Sequence, residues 1–299
     1  MKILDILTSP WSIKPEKLHE IRGVYETHLR GEKIDWKGMT AQFGLMMSGD
    51  HENDMEIENG MAIISIEGVI SKRQSLMSWL FGGYATEEIG QSFDAAMENN
   101  EVYSILLDID SPGGTVDGAE ELCNKIYNAR VQGQKRIIAY SDGEMCSSAY
   151  WIGSSADRIF ISGETVEAGS IGILGTHIDQ SELDKAEGLK WTEIASGPYK
   201  RIASGHTSLS KDGAAYLQAK VDYLAGIFTE QALFRNRKMT EGQAVEVSKG
   251  GTYFGQQSIE SGLVDGVSTK TAIIELYGNP NSPRTIRAMV EAQVNRTKR

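Results

Sequence analysis

The chain has 299 residues, a formal net charge of −11, 40% hydrophobic and 24% charged residues. That balance describes a globular chain and argues against a general binder of nucleic acid or anionic membrane. No apolar run reaches the ~18 residues a membrane helix needs, Asp5 and Pro10 interrupt any leader-like stretch at the start, and two cysteines make no disulfide framework. A soluble intracellular protein with a sizeable core is expected.

Residues 1–60 read as an N-terminal extension. The spacing of Leu18, Ile21, Tyr25 and Leu29 predicts one helix from Lys14 to Arg30, and the acidic run ending at Glu58 reads as a solvated linker. From Met61 a regular rhythm begins. MAIISIEGVI is a buried strand, ATEEIGQSFDAAMENN a helix, VYSILLDID a strand and DGAEELCNKIYNARVQG a helix. KRIIAYSD is a third strand, SSAYWIGSSA a short helix and DRIFIS a fourth strand. Strands alternating with helices predict βαβ units, hence an α/β domain over residues 61–278. Ala214, Leu217, Val221, Leu224 and Phe228 mark one side of a long amphipathic helix from Lys211 to Arg235, a stripe that suits the core or an interface and is read as core. Residues 279–299 form a basic, flexible tail.

Two segments could carry chemistry. In DIDSPGGTVDG, a strand runs into Ser111-Pro112-Gly113-Gly114, which either is a simple turn into the next helix or brings backbone N–H groups to a ligand crevice. In SDGEMCSSAYW, Ser147 opens a helix; a serine there either caps the helix or acts as a nucleophile beside N–H groups suited to an oxyanion. A nucleophilic serine needs a base. His177 is one candidate, and Lys200 in SGPYKR is another, usable only if desolvation makes it neutral at working pH. No His/Cys/Asp cluster has metal-ligand spacing, so neither metal nor cofactor is expected.

DSPGG, a serine opening an SxAYW helix, GSIGI and SGPYK, in that order between Met61 and Tyr277, closely resemble the signal peptide peptidase A family of serine peptidases. The resemblance implies a Clp protease/crotonase-like βαβ spiral and a Ser–Lys dyad. By motif position, Ser147 is the nucleophile, Lys200 the base and Ser170 the hydroxyl that orients the lysine. Gly114 and the Ser148 N–H form the oxyanion hole. Ser170 stands where a Clp-type protease has its histidine, which weakens His177. The family helix usually reads Ser-Gly-Gly; here Ser147 is followed by Ser148 and Ala149, so either serine is open as the attacking one.

The missing anchor and the SxAYWI variant are most similar to the phage head maturation branch of the family. That branch implies a homo-oligomer in the host cytoplasm, inside the procapsid, acting on scaffold or capsid polypeptides. The alternatives are a soluble cellular enzyme clearing small peptides, a crotonase-like acyl-CoA enzyme, and a non-proteolytic assembly protein.

Overall fold

The computed structural model of the chain describes residues 8–29, 55–74, 83–286 and 289. Strand β1 (Trp11–Ile13) precedes helix α1 (Pro15–Leu29), close to the helix expected from Lys14. Pro15 opens α1, where a missing N–H leaves nothing unpaired. The stretch read as a solvated linker ends in structure: β2 (Met55–Glu58) pairs antiparallel with β3 (Met61–Ile70). The earlier part of that acidic run, residues 50–54, lies outside the described residues.

The βαβ rhythm is present. Between β3 and β4 (Ser104–Thr115) runs α2 (Thr86–Glu98), and between β4 and β5 (Arg136–Ser141) runs α3 (Ala119–Gln132). β6 (Glu144–Cys146), α4 (Ser148–Gly153) and β7 (Arg158–Ile161) follow, then β8 (Glu167–Gly169). In the larger layer β3, β4, β5 and β7 lie parallel in that order. A smaller layer pairs the far end of β4 with β6, β6 with β8, and β8 with β9 (Thr252–Phe254). The chain thus winds as a spiral. β5 and β7 each supply the large layer, and the short strand after each supplies the small one. β10 (Gly266–Val267) extends the large layer parallel to β7.

Parallel strands covered on both faces bury both sets of alternate side chains. On one face Ile64, Ile105, Leu107, Ile137 and Ile159 pack under α2, α3 and α4; on the other Ile63, Leu106, Ile138 and Tyr140 meet Ile273 and Ile274 of α9 (Lys270–Tyr277).

The SPGG segment departs from its expected turn. β4 continues as a strand through Thr115, and the turn falls later, at Gly118, whose φ is +89°. The strand continues because neighbours on both sides, β1 and β3, pair with Gly113 and Gly114. Short helix α5 (Ser181–Ala186) comes next. The long helix α6 (Lys211–Thr229) then passes into a π-helical turn, Glu230–Asn236. Its expected core stripe is only partly buried: Ala214 is exposed, Leu217, Val221 and Leu224 are half-buried, and Phe228 alone of the five is in the core. α7 (Glu241–Val247) and α8 (Gly255–Glu260) flank β9. The segment read as a flexible tail begins docked, since Asn279 N–H donates to Asn59 O and Thr285 is fully buried. Residues 287, 288 and 290–299 lie outside the described residues.

Candidate active site

β4 brings its two glycines to the site by close approach. A Cβ on Gly113 (φ +100°) would lie 2.4 Å from Ser12 O and 2.9 Å from the Ser147 Cβ. A Cβ on Gly114 would lie 1.8 Å from Ile70 O. Ser111 steadies the passage, its hydroxyl donating to Gly68 O at 2.6 Å and accepting from Gly113 N–H at 3.1 Å.

Ser147 sits at the sharp elbow between β6 and α4, with φ +56° and ψ −121°. Such backbone costs a non-glycine residue of order 1–3 kcal/mol and persists only where the surroundings hold it. Here its N–H donates to Gly169 O at 2.7 Å and its carbonyl accepts from Trp151 N–H at 2.9 Å. α4 is anchored from behind: the Tyr150 hydroxyl donates to Leu263 O, the Trp151 indole N–H donates to Gln231 Oε1, and Trp151 stacks on Phe228 at 4.6 Å.

The capping alternative fails. The Ser147 side chain makes no capping bond to α4; its Oγ is instead 2.8 Å from Ser12 Oγ. Ser148 is the first residue of α4, and its buried hydroxyl has no hydrogen-bond partner. Ser170 lies alongside Ser147, because each follows one member of the paired residues Cys146 and Gly169. Ser170 also has positive φ (+54°) and is buried, its N–H donating to Gly251 O.

Ser147, Ser148, Ser170, Gly113 and Gly114 are therefore brought together where the end of β4 meets β6 and β8, a place β1 covers. Lys200 is not gathered with them in this conformation. It lies in an exposed turn, beside Tyr199, which stacks on Tyr216. Among the described residues no hydrogen bond links its ammonium to Ser147 or Ser170. His177 faces elsewhere, its Nε2 hydrogen-bonding Ser204 O and its ring lining a cavity of about 280 Å³ with His206 and Leu217.

The sequence reading missed what lies against these residues. β1 lies antiparallel along β4, pairing Ser12 with Gly114 and Ile13 with Gly113. Lys14, the next residue, places its ammonium 2.9 Å from Glu144 and 2.5 Å from Glu167. Glu144, Cys146 and Glu167 are the one group of metal-ligand spacing among the described residues, and the Lys14 ammonium is seated at its carboxylates. Burial raises the Glu144 pKa against the pull of Lys14. Burial opposes the Glu167 carboxylate too, but hydrogen bonds from Lys14 and Thr252 outweigh it and hold the pKa low. Burial, reinforced by both glutamates, pushes the Cys146 pKa up and keeps it a thiol. A three-residue strand is too short for periodicity to reveal, and Lys14 meets carboxylates over 100 positions away, so neither feature had a local signal.

Comparison with known proteins adds the family. The chain is 28% identical over 235 residues to the head-tail preconnector protein GP5 of Enterobacteria phage P21, covering 78% of this chain and 46% of that protein. It is 27% identical over 254 residues to the capsid assembly protease C of Escherichia phage lambda, covering 81% of this chain and 56% of that one. The chain spans about half the length of these phage relatives. Protease 4 of Haemophilus influenzae is 26% identical over 249 residues, covering 81% of this chain and 38% of that protein. Among solved structures, an enoyl-CoA hydratase from Shewanella pealeana aligns with a TM-score of 0.44 and 10% identity, covering 88% of this chain and 84% of that one. The model of peptidase family S49 matches residues 129–278, half of the sequence, and the chain belongs to that family.

Proposed function

We propose that this chain is a serine endopeptidase that attacks peptide bonds through Ser147, with Lys200 as its general base. The observation that carries the reading is the elbow at Ser147. Its hydroxyl is held on strained backbone, free of any capping bond, and directed at a peptide strand lying beside Gly113 and Gly114. Ser147 Oγ adds to the carbonyl carbon while its proton passes to the neutral Lys200 amine. The backbone N–H groups of Gly114 and Ser148 receive the oxyanion, each donor worth about 3 kcal/mol of barrier. Lys200 then protonates the departing amine, and water hydrolyses the acyl-enzyme. Ser170 orients the lysine. This chemistry requires the turn carrying Lys200 to close onto Ser147, where loss of solvent lowers the lysine pKa.

The names of the phage relatives support a substrate among capsid or scaffold polypeptides and work within an assembling capsid in the host cytoplasm. No helix among the described residues is long and apolar enough to cross a membrane. Leu189, Trp191, Ile194 and Tyr199, all exposed on the segment that carries Lys200, support a homo-oligomer in which a second copy covers them.

Purified protein is tested on casein and on the cognate scaffold beside Ser147→Ala and Lys200→Ala. Ser147→Ala abolishes cleavage, and Lys200→Ala lowers it by about 10²–10⁴-fold with the fold intact. Full activity in Lys200→Ala refutes the dyad; full activity in Ser147→Ala refutes the nucleophile.

A further inference from the structure

The segment from Pro10 to Lys14 is bound as a peptide is bound. On one edge Val116 N–H donates to Pro10 O at 3.5 Å and Lys14 N–H donates to Pro112 O at 3.0 Å. The pair between them, Ser12 with Gly114, is therefore of the hydrogen-bonded kind, in which the two residues exchange N–H and C=O. On the other edge Trp11 and Leu174 exchange both bonds, at 2.9 and 2.8 Å. Alternate residues thus bond to opposite walls, as in a strand inserted between two others. Trp11, Ser12 and Ile13 are all buried. Ser12 presents its hydroxyl to Ser147 and its carbonyl to the Gly114 side of the cleft, where the oxyanion of a substrate has to form. Two residues further on, Lys14 places its ammonium between Glu144 and Glu167, with burial opposed by both partners.

We infer that residues 10–14 are an intramolecular substrate mimic that blocks the peptide track, and that Glu144 and Glu167 form a subsite for a basic side chain. In this register Ser12 holds the place of the residue whose carbonyl is attacked. Lys14 then marks the second position beyond the scissile bond. The substrates this site takes are extended peptides with a small residue at the attacked carbonyl and lysine or arginine two residues after it. They enter only when β1 is displaced. The inference rests on the proposed peptidase reading for what the track is for, but the occupancy of the track is tested without turnover.

The test uses the full chain carrying Ser147→Ala, with and without Trp11→Pro, which removes the N–H given to Leu174. The probe is a fluorescein-labelled synthetic peptide, TSPWSIKPEK, corresponding to residues 8–17. Fluorescence polarisation reads binding. The Trp11→Pro chain binds the peptide at least tenfold tighter than the chain without it, and a peptide with glutamate in place of its first lysine binds at least tenfold more weakly. Lys14→Glu, which leaves the backbone ladder intact, is the second releasing variant should Trp11→Pro fail to fold. With Ser147 restored, a released variant cleaves casein at least tenfold faster than the parent chain, and the peptide inhibits it competitively.

Equal binding with and without release overturns the occupancy, and equal binding of both peptides overturns the acidic subsite. A Ser147-dependent cut after Ser12 in the parent chain makes the segment a substrate and overturns its blocking role. Released variants that bind the peptide but cleave nothing refute the peptidase reading and leave the occupancy standing.

Discussion

Arg237, at the end of the π-helical turn, forms a two-pronged ion pair with Asp265: Nη1 to Oδ2 and Nη2 to Oδ1, both at 3.0 Å. The side chains are only 10% and 17% exposed, so the pair has little screening. Asp265 also accepts from Ile159 N–H at 2.7 Å, and Arg237 donates to Gly262 O through Nε and Nη2. The clamp ties the π-helical turn to the edge of the large sheet, beside the Leu263 carbonyl that holds Tyr150 of α4. Replacing Asp265 by Asn keeps an acceptor for Ile159 but leaves a buried guanidinium facing a neutral partner. Breaking a buried pair from one side costs about 3–5 kcal/mol, and the surviving bonds to Gly262 place Asp265→Asn near 3. At about 2–4 °C per kcal/mol for a unit of ~150–250 residues, the melting temperature falls by roughly 6–12 °C. Arg237→Met costs somewhat less, since Asp265 keeps the Ile159 N–H and the half-exposed Arg158 guanidinium at 3.5 Å. The double variant Arg237→Met/Asp265→Asn costs well under the sum of the singles, because no uncompensated charge remains. Thermal melts followed by circular dichroism give all three values. A single-variant loss below about 1 kcal/mol, or a double variant equal to the sum, refutes the clamp.

Three further outcomes follow from the same contacts. The Asp265 pKa is held low, burial being outweighed by the Arg237 pair and the Ile159 N–H, so its contribution is fully present above the unfolded carboxylate value near 3.9 and is lost as pH falls through the folded value. Urea midpoints measured below about pH 4 therefore fall more steeply in the parent than in Asp265→Asn; parallel slopes contradict this. Gly114→Ala forces a methyl onto the Ile70 carbonyl, costing about 1–3 kcal/mol or more; under the proposed oxyanion role of Gly114, cleavage falls further than stability alone accounts for. Unchanged casein cleavage at unchanged melting temperature counts against it. Phe228→Ala removes a fully buried ring and its stack on Trp151, costing about 3–5 kcal/mol, of which about 0.5–1.5 is the stack; a urea titration reads the sum, and a loss under 1 kcal/mol rejects the packing described.

The long apolar strands and the helices between them were legible because burial on two faces leaves a continuous hydrophobic run, as in Met61–Ile70. The short strands β6, β8 and β9 were not, since three residues cannot establish a period and only their neighbours make them strands. SPGG was read as a turn because its composition is that of a turn; what keeps it extended is pairing with β1 and β3, which is invisible locally. Ser147 was identifiable through its motif company, but excluding a cap needed its side-chain partner, the Ser12 hydroxyl on a strand distant in sequence. Lys200 shows the limit from the other side. A motif names the residue and says nothing of the exposed turn in which it stands.

The single strand β4 is at once the spine of the large sheet, between β3 and β5, and the wall of the cleft that carries Gly113 and Gly114. Its hydrophobic half cannot settle until partners distant in sequence have docked on both sides. Until then the glycine half has no fixed position relative to Ser147, whose own elbow depends on β8. A chain in which those partners have not docked therefore carries Ser147 without the groove beside it. Damage runs the same way. A one-residue slip in β4 would exchange the side chains packed on its two covered faces and shift Gly113 and Gly114 away from Ser147 in the same stroke, so a chain misregistered there loses the groove along with the core.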